Sequence, residues 1–195
     1  KKNDDHKNIV EMAKSYQLSH KDHIKISNYC KKKKVIYSCT AFDLESLKFL
    51  DKVINVPFFK IASGEVFSLE MLEYISKRKK PIFLSTGMST FSDISLILKK
   101  LNKFKKKDIT IMHCVSSYPA KKENLNLNII DEIKKKFNCK IGYSDHSLGD
   151  DACLIAVAKG AQVIEKHVTI SKNLIGPDHK SSATIGEFKK LIKKI

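Results

Sequence analysis

Arginine is almost missing from this 195-residue chain: of its 37 basic residues only Arg78 is one, and the rest are lysines. The formal net charge is nevertheless +16, which would suit an acidic partner. Readers of nucleic acid use the bidentate arginine fork and interleave aromatic rings for stacking, and neither feature occurs here. The lysines fall instead in stretches such as "DEIKKKFNCK" and "SDISLILKKLNKFKKKD". Helical spacing turns them to solvent there. A basic nucleic-acid-binding module therefore ranks behind a solvated lysine face, and no nucleic-acid partner is expected.

Other absences narrow the class further. No apolar run approaches the roughly 20 residues that span a bilayer, and no secretory signal opens the chain, so no membrane partner is expected. The first residue is Lys1 rather than Met, which suggests a trimmed N-terminus. No CxxC occurs, and the cysteine count is odd, with Cys30, Cys39, Cys114, Cys139 and Cys153. Cys39, Cys114 and Cys153 lie in apolar runs, as buried thiols of a reducing cytoplasm do. Neither a GxGxxG nor a Walker A sequence is present, which excludes the usual dinucleotide and P-loop sites. No Gly/Pro/Ser linker divides the chain, and no second domain is detectable.

What is present is a recurring unit: a short β-rich run ending in small or polar residues, then a helical stretch. The runs are Val35–Asp43, Phe58–Glu65, Pro81–Met88, Ile109–Pro119, Lys140–Ser147 and Gln162–Ile170. Helical segments at Asp4–Tyr16 and His20–Lys33 precede them, and "TIGEFKKLIKKI" closes the chain. Alternation of this kind builds parallel strands with helical crossovers. Polar groups stand at the C-terminal end of every run. An open doubly wound sheet would gather them at one switch point, whereas a barrel spreads them around one rim. The expected fold is thus α/β, a (β/α)8 barrel with about six of its eight units visible. Residues 1–33 read as a helical lead-in and residues 34–195 as the barrel core.

Two histidines carry the first chemical signal. His146 in "GYSDHSLG" and His167 in "EKHVT" each follow a β-run. If those strands are neighbours, about 4.8 Å apart, both imidazoles emerge at the same rim and can share one cation. Two histidines without cysteine suit Mn²⁺, Fe²⁺ or Zn²⁺. Asp145 or Glu165 could orient them, or Glu165 and Lys166 could form an interior ion pair instead.

A second signal is Lys60 in "KIASGE". A strand lysine turned inward needs an anion beside it. Ser63 and Gly64, then Ser85, Thr86 and Gly87, then Ser116, Ser117 and Ser144 place hydroxyls and open backbone at successive strand ends. A ring of hydroxyls around one lysine makes a cradle for phosphate or carboxylate.

Taken together, "FKIASGE", "LSTGMS", "HCVSSYPA", "NLNIIDEI", "IGYSDHSLGDDACLIAVAKGAQVIEKHVTI" and "GPDHKSSAT" stand in an order and spacing that closely resembles the sialic acid synthase family. Its members make N-acetylneuraminate, legionaminate and pseudaminate. The resemblance runs from about residue 10 to the C-terminus. It implies a (β/α)8 catalytic barrel, cytoplasmic, that condenses phosphoenolpyruvate with an N-acylated hexosamine such as N-acetylmannosamine. It implies a divalent metal, Mn²⁺ or Mg²⁺, held by His146 and His167. Lys60, Thr40, Ser63, Ser85 and Ser144 match positions that hold phosphoenolpyruvate; Ser116, Tyr118 and Asp178 match positions near the sugar, and Glu65 lies close by. Members acting on N-acetylmannosamine commonly carry Asn where Ser116 stands. The resemblance also implies a homodimer when full length, and two further N-terminal strands and a C-terminal antifreeze-like domain that are not read in this sequence. A related synthase acting on phosphorylated sugars would need more arginine for the second phosphate.

Overall fold

The computed structural model describes residues 8–102 and 108–195. Three helices lead in: α1 (Ile9–Tyr16), α2 (His20–Lys32) and α3 (Leu44–Phe49). The helical segment expected from Asp4 begins outside the described residues. Each of these helices starts where an Asn, Ser or Asp side chain accepts a backbone N–H of the first turn; Asp43, for example, takes that of Ser46 at 2.7 Å.

Beyond α3 the recurring unit takes shape. Strands β1 (Phe59–Ile61), β2 (Ile82–Ser85), β3 (Ile109–Cys114), β4 (Lys140–Asp145) and β5 (Val163–Lys166) form one parallel sheet whose spatial order is the chain order. Helices α4 (Leu69–Ser76), α5 (Phe91–Leu101), α6 (Ile129–Phe137) and α7 (Asp151–Ala158) supply the crossovers between them. Period-two alternation divides the sheet into two faces. Phe59, Ile61, Ile82, Leu84, Ile111 and Ile141 belong to the buried core that packs against the helices. Lys60, Phe83, Met112 and Glu165 face the other way and line an open cavity of about 440 Å³. This is the half-barrel of an incomplete (β/α)8-type fold.

Two expected strands differ. The run Val35–Asp43 forms no strand among the described residues. Val35 and Ile36 are 60% and 71% exposed, while Ser38, Cys39 and Thr40 turn to the cavity beside Lys60. β-rich composition makes a strand only where a neighbour completes the ladder, and none does so here. The run Gln162–Ile170 is also divided. Its chain leaves the main sheet at His167, and β6 (Val168–Thr169) pairs instead with β7 (Ala183–Thr184), ahead of α8 (Ile185–Lys194). The main sheet therefore holds five strands rather than six.

All five cysteines are free thiols, with Cys114 and Cys153 buried and Cys39 half-buried. At the end of the sheet opposite the strand C-termini, the lone arginine has a structural task. Arg78 Nε donates to Asp51 at 2.8 Å, its guanidinium stacks on Tyr74, and Lys80 pairs with the same carboxylate at 2.9 Å.

Candidate active site

The register of β4 against β5 sets Ser144 opposite Glu165 and Asp145 opposite Lys166. Because successive side chains alternate, the first pair faces the cavity, the second the helices, and His146 and His167 turn back toward the cavity rim. The two imidazoles meet edge to face, with ring centroids 5.6 Å apart. Tyr118 lies tilted against both, its ring centroid 4.1 Å from that of His146 and 5.5 Å from that of His167.

The polar contacts fix how His146 presents itself. Its Nδ1 lies 2.7 Å from the Val115 carbonyl, which can only accept, so Nδ1 carries the proton. Nε2 is then the lone pair, 3.3 Å from Ser144 Oγ. Ser144 has one hydroxyl proton, and it donates that to Glu165 Oε1 at 2.8 Å. The Nε2 lone pair is thus left without a proton donor among the described residues. Burial is the largest influence on this imidazole and pushes its pKa below the usual value, against the opposing pull of the Val115 carbonyl. A neutral imidazole with an open lone pair is the form that ligates metal.

Lys60 does turn inward, and its side chain is 14% exposed. Its partner is Glu165, with Nζ 3.2 Å from Oε2. Glu165 thus joins Lys60, Ser144 and, through Ser144, His146 in one chain of contacts. Thr40 lines the same cavity. At the neighbouring strand ends Gly87 N–H donates to Ser63 Oγ at 3.0 Å, and Ser63 Oγ lies 3.3 Å from Cys114 Sγ. A Cβ on Gly87 would stand 2.5 Å from Ser116 Oγ and 2.9 Å from Ser63 Oγ, so only glycine lets those hydroxyls close on the turn. Ser85, at the end of β2, is buried. Asp178 Oδ2 is 3.8 Å from His167 Nδ1. Glu65 ends the 3₁₀ turn Ser63–Glu65, half-buried; its N–H donates to the Ala62 carbonyl at 2.9 Å and its carbonyl accepts the Ser68 N–H at 3.0 Å. Burial, then the charges of Cys114, Asp178 and Glu165, raises the Tyr118 phenol.

Asp145 turns away from the two imidazoles. It lies on the helix face, completely buried, paired with Lys166. Glu165 and Lys166 likewise form no pair with each other, because neighbours in a strand point to opposite faces; the alternation of the sequence carried that signal. Cys114 had no such signal, since its closeness to Ser63 depends on the approach of separate strands. Among the described residues no group of three or more His, Cys, Asp or Glu side chains gathers as a metal cage. The fit to a cation rests on two imidazoles, with the remaining positions left to water or substrate.

The NeuB family matches residues 1–195, the whole chain. The chain belongs to the NeuB family. It is 44% identical over 185 residues to an uncharacterized protein of Methanocaldococcus jannaschii, covering 95% of this chain and 55% of that protein. It is 40% identical over 188 residues to the N,N'-diacetyllegionaminic acid synthase of Campylobacter jejuni, covering 95% of this chain and 56% of the synthase. Among solved structures, the N-acetylneuraminic acid synthetase of Leptospira borgpetersenii superposes with a TM-score of 0.90 at 35% identity, over 95% of this chain and 64% of that one. This NeuB chain thus spans about half the length of the curated relatives it matches.

Proposed function

We propose that the protein carrying this chain is a nonulosonate synthase. It condenses phosphoenolpyruvate with an N-acylated hexosamine and releases phosphate to give a sialic-acid-like sugar. The observation that carries this reading is His146 beside His167 at one rim of a NeuB half-barrel, with Nε2 of His146 free of a donor and Lys60 linked to it through Glu165 and Ser144. Names among the matched relatives, legionaminic and N-acetylneuraminic acid synthases, support the product class.

His146 and His167 would hold a divalent cation, Mn²⁺ or Mg²⁺, which when bound supplies a Lewis acid for the aldehyde of the open-chain sugar. The chain's own groups do the rest. Lys60 meets the negative charge of phosphoenolpyruvate, and the hydroxyls of Thr40, Ser63, Ser85 and Ser144 orient its phosphate and carboxylate. Tyr118, Asp178, Ser116 and Glu65 face the sugar. In the reaction C3 of phosphoenolpyruvate bonds to the aldehyde carbon, water adds at C2, and phosphate departs with cleavage of the C–O bond. Ser116, where members acting on N-acetylmannosamine commonly carry Asn, leaves more room beside the sugar. The complete protein acts as a cytoplasmic homodimer. No helix among the described residues is long and apolar enough to cross a membrane.

The ligand role has a direct test. His146→Ala in the complete protein should weaken Mn²⁺ binding by more than the roughly 10–100-fold that removing an outer-shell partner costs. Calorimetric titration reads this, and an unchanged affinity contradicts the assignment.

A further inference from the structure

Beneath the two histidines, on the helix face of the sheet, lies an ion pair that the proposed chemistry does not use. Lys166 Nζ contacts Asp145 Oδ2, and the two side chains are 3% and 0% exposed. Each residue directly precedes one of the histidines, and the two are paired in register across β4 and β5. The pair is therefore the last rung between these strands before both chains turn His146 and His167 to the rim.

The contacts around it converge on the backbone that follows His146. Asp145 Oδ1 accepts the Ser147 N–H at 2.9 Å and the Ser147 hydroxyl at 2.7 Å. Lys166 Nζ donates to the Ser147 carbonyl at 3.0 Å. Both backbone polar groups of Ser147 are thus tied to the two ions. Tyr143 OH at 3.2 Å and Cys153 Sγ at 3.1 Å complete the set around Asp145. On either side, Ala120 N–H holds the His146 carbonyl and Ala183 N–H holds the His167 carbonyl, each at 2.9 Å.

A buried ion pair is a poor source of stability, because desolvation of two charges offsets much of their attraction, and apolar replacements are often neutral or better. What such a pair does supply is a fixed geometry, since any slip of one strand leaves a charge unpaired in a medium where that is costly. We infer that Asp145 and Lys166 are positioning residues that set the separation and aim of His146 and His167 from the opposite face of the sheet. This inference rests on the metal reading proposed above. It assigns to the "DH" and "KH" pairs a shared logic: one residue of each faces the cation, the other locks its neighbour.

The test compares Mn²⁺ affinity with thermal stability in the complete protein. Asp145→Asn/Lys166→Met removes both charges but keeps an acceptor for the Ser147 N–H. Cooperative unfolding is expected to remain, with Mn²⁺ bound about 10–100-fold more weakly, the range for outer-shell losses. A folded double variant with parental affinity overturns the inference. Should that variant not fold, Asp145→Glu keeps the pair charged while lengthening it by one methylene; a loss of at least about tenfold is expected, and parental affinity again overturns the inference. Ile133→Ala, in the core at α6, separates positioning from general weakening: it should lower the melting temperature and leave Mn²⁺ affinity alone. An equal loss of affinity there assigns the effect to the fold and overturns the inference. If the parent protein binds no Mn²⁺, the metal reading itself fails, and His146→Ala then shows no difference either.

Discussion

At the scale of single residues, the site depends on small groups as much as on charged ones. Gly87 has no positive φ that would forbid a side chain, so Gly87→Ala should fold. Its new Cβ would nevertheless push Ser116 and Ser63 hydroxyls out of the positions they share with Cys114. Loss of a hydrogen bond to a charged ligand costs about 1.5–3 kcal/mol, so the KM for phosphoenolpyruvate should rise roughly tenfold or more while the melting temperature stays within a few degrees. Steady-state kinetics beside a melting curve checks this; an unchanged KM shows that Ser63 lies outside the phosphoenolpyruvate site. Lys60 shows a related economy of means. Its ammonium on the cavity wall already has Glu165 as a counter-charge, so in the proposed reaction an incoming phosphate would compete with that carboxylate.

At the scale of elements, α1, α2, α3, α5 and α8 each start on a side-chain cap. Thr90 and Asp93 form a reciprocal capping box at the start of α5, with Thr90 N–H donating to Asp93 at 2.8 Å. Thr90→Ala should therefore lower global stability by about 1 kcal/mol, read by denaturant melts, with no change in KM. A loss near zero means that packing of Ile94, Ile97 and Leu101 alone starts this helix. Such signals explain why so much of the fold was legible in the sequence. The β-runs from Phe58 onward, the crossover helices and the single rim of polar groups all follow from local pattern and appear in the structure. What local pattern could not supply was pairing. Val35–Asp43 has strand composition but no ladder, because the ladder belongs to a neighbour and not to the run itself. The break at His167 was hidden for the same reason: β6 finds its partner β7 across a loop that carries Asp178. The histidine pair was legible from matching strand ends, whereas the link from Lys60 through Glu165 and Ser144 to His146 required the register of β4 on β5.

At the scale of the whole molecule, the chemistry sits at one end of the sheet and an ionic brace at the other. Asp51, 8% exposed, is held by Arg78, Lys80 and Tyr74. Burial alone would raise its pKa, but hydrogen bonds from Lys80, Arg78 and Tyr74 outweigh that and hold it below the usual 3.8. A carboxylate whose folded pKa is depressed contributes stability that is complete above the unfolded value and is lost as pH falls through the folded one. The stability difference between the parent protein and Asp51→Asn should therefore be constant at pH 5–7 and shrink below pH 3.8. Melting curves across that range check it, and a difference that does not depend on acid removes Asp51 from the acid limb. The central claim is the pairing of an anion cradle with a histidine-held cation in a NeuB barrel. Its most direct test is phosphate release by the complete protein from phosphoenolpyruvate and a set of N-acylated hexosamines, with Mn²⁺ present or chelated. Phosphate release that requires both the aldose and the metal, and that falls when His146 or His167 is replaced by alanine, is the predicted result. No phosphate release from any of these sugars by the metal-loaded protein, or release indifferent to chelation and to both histidines, contradicts the account.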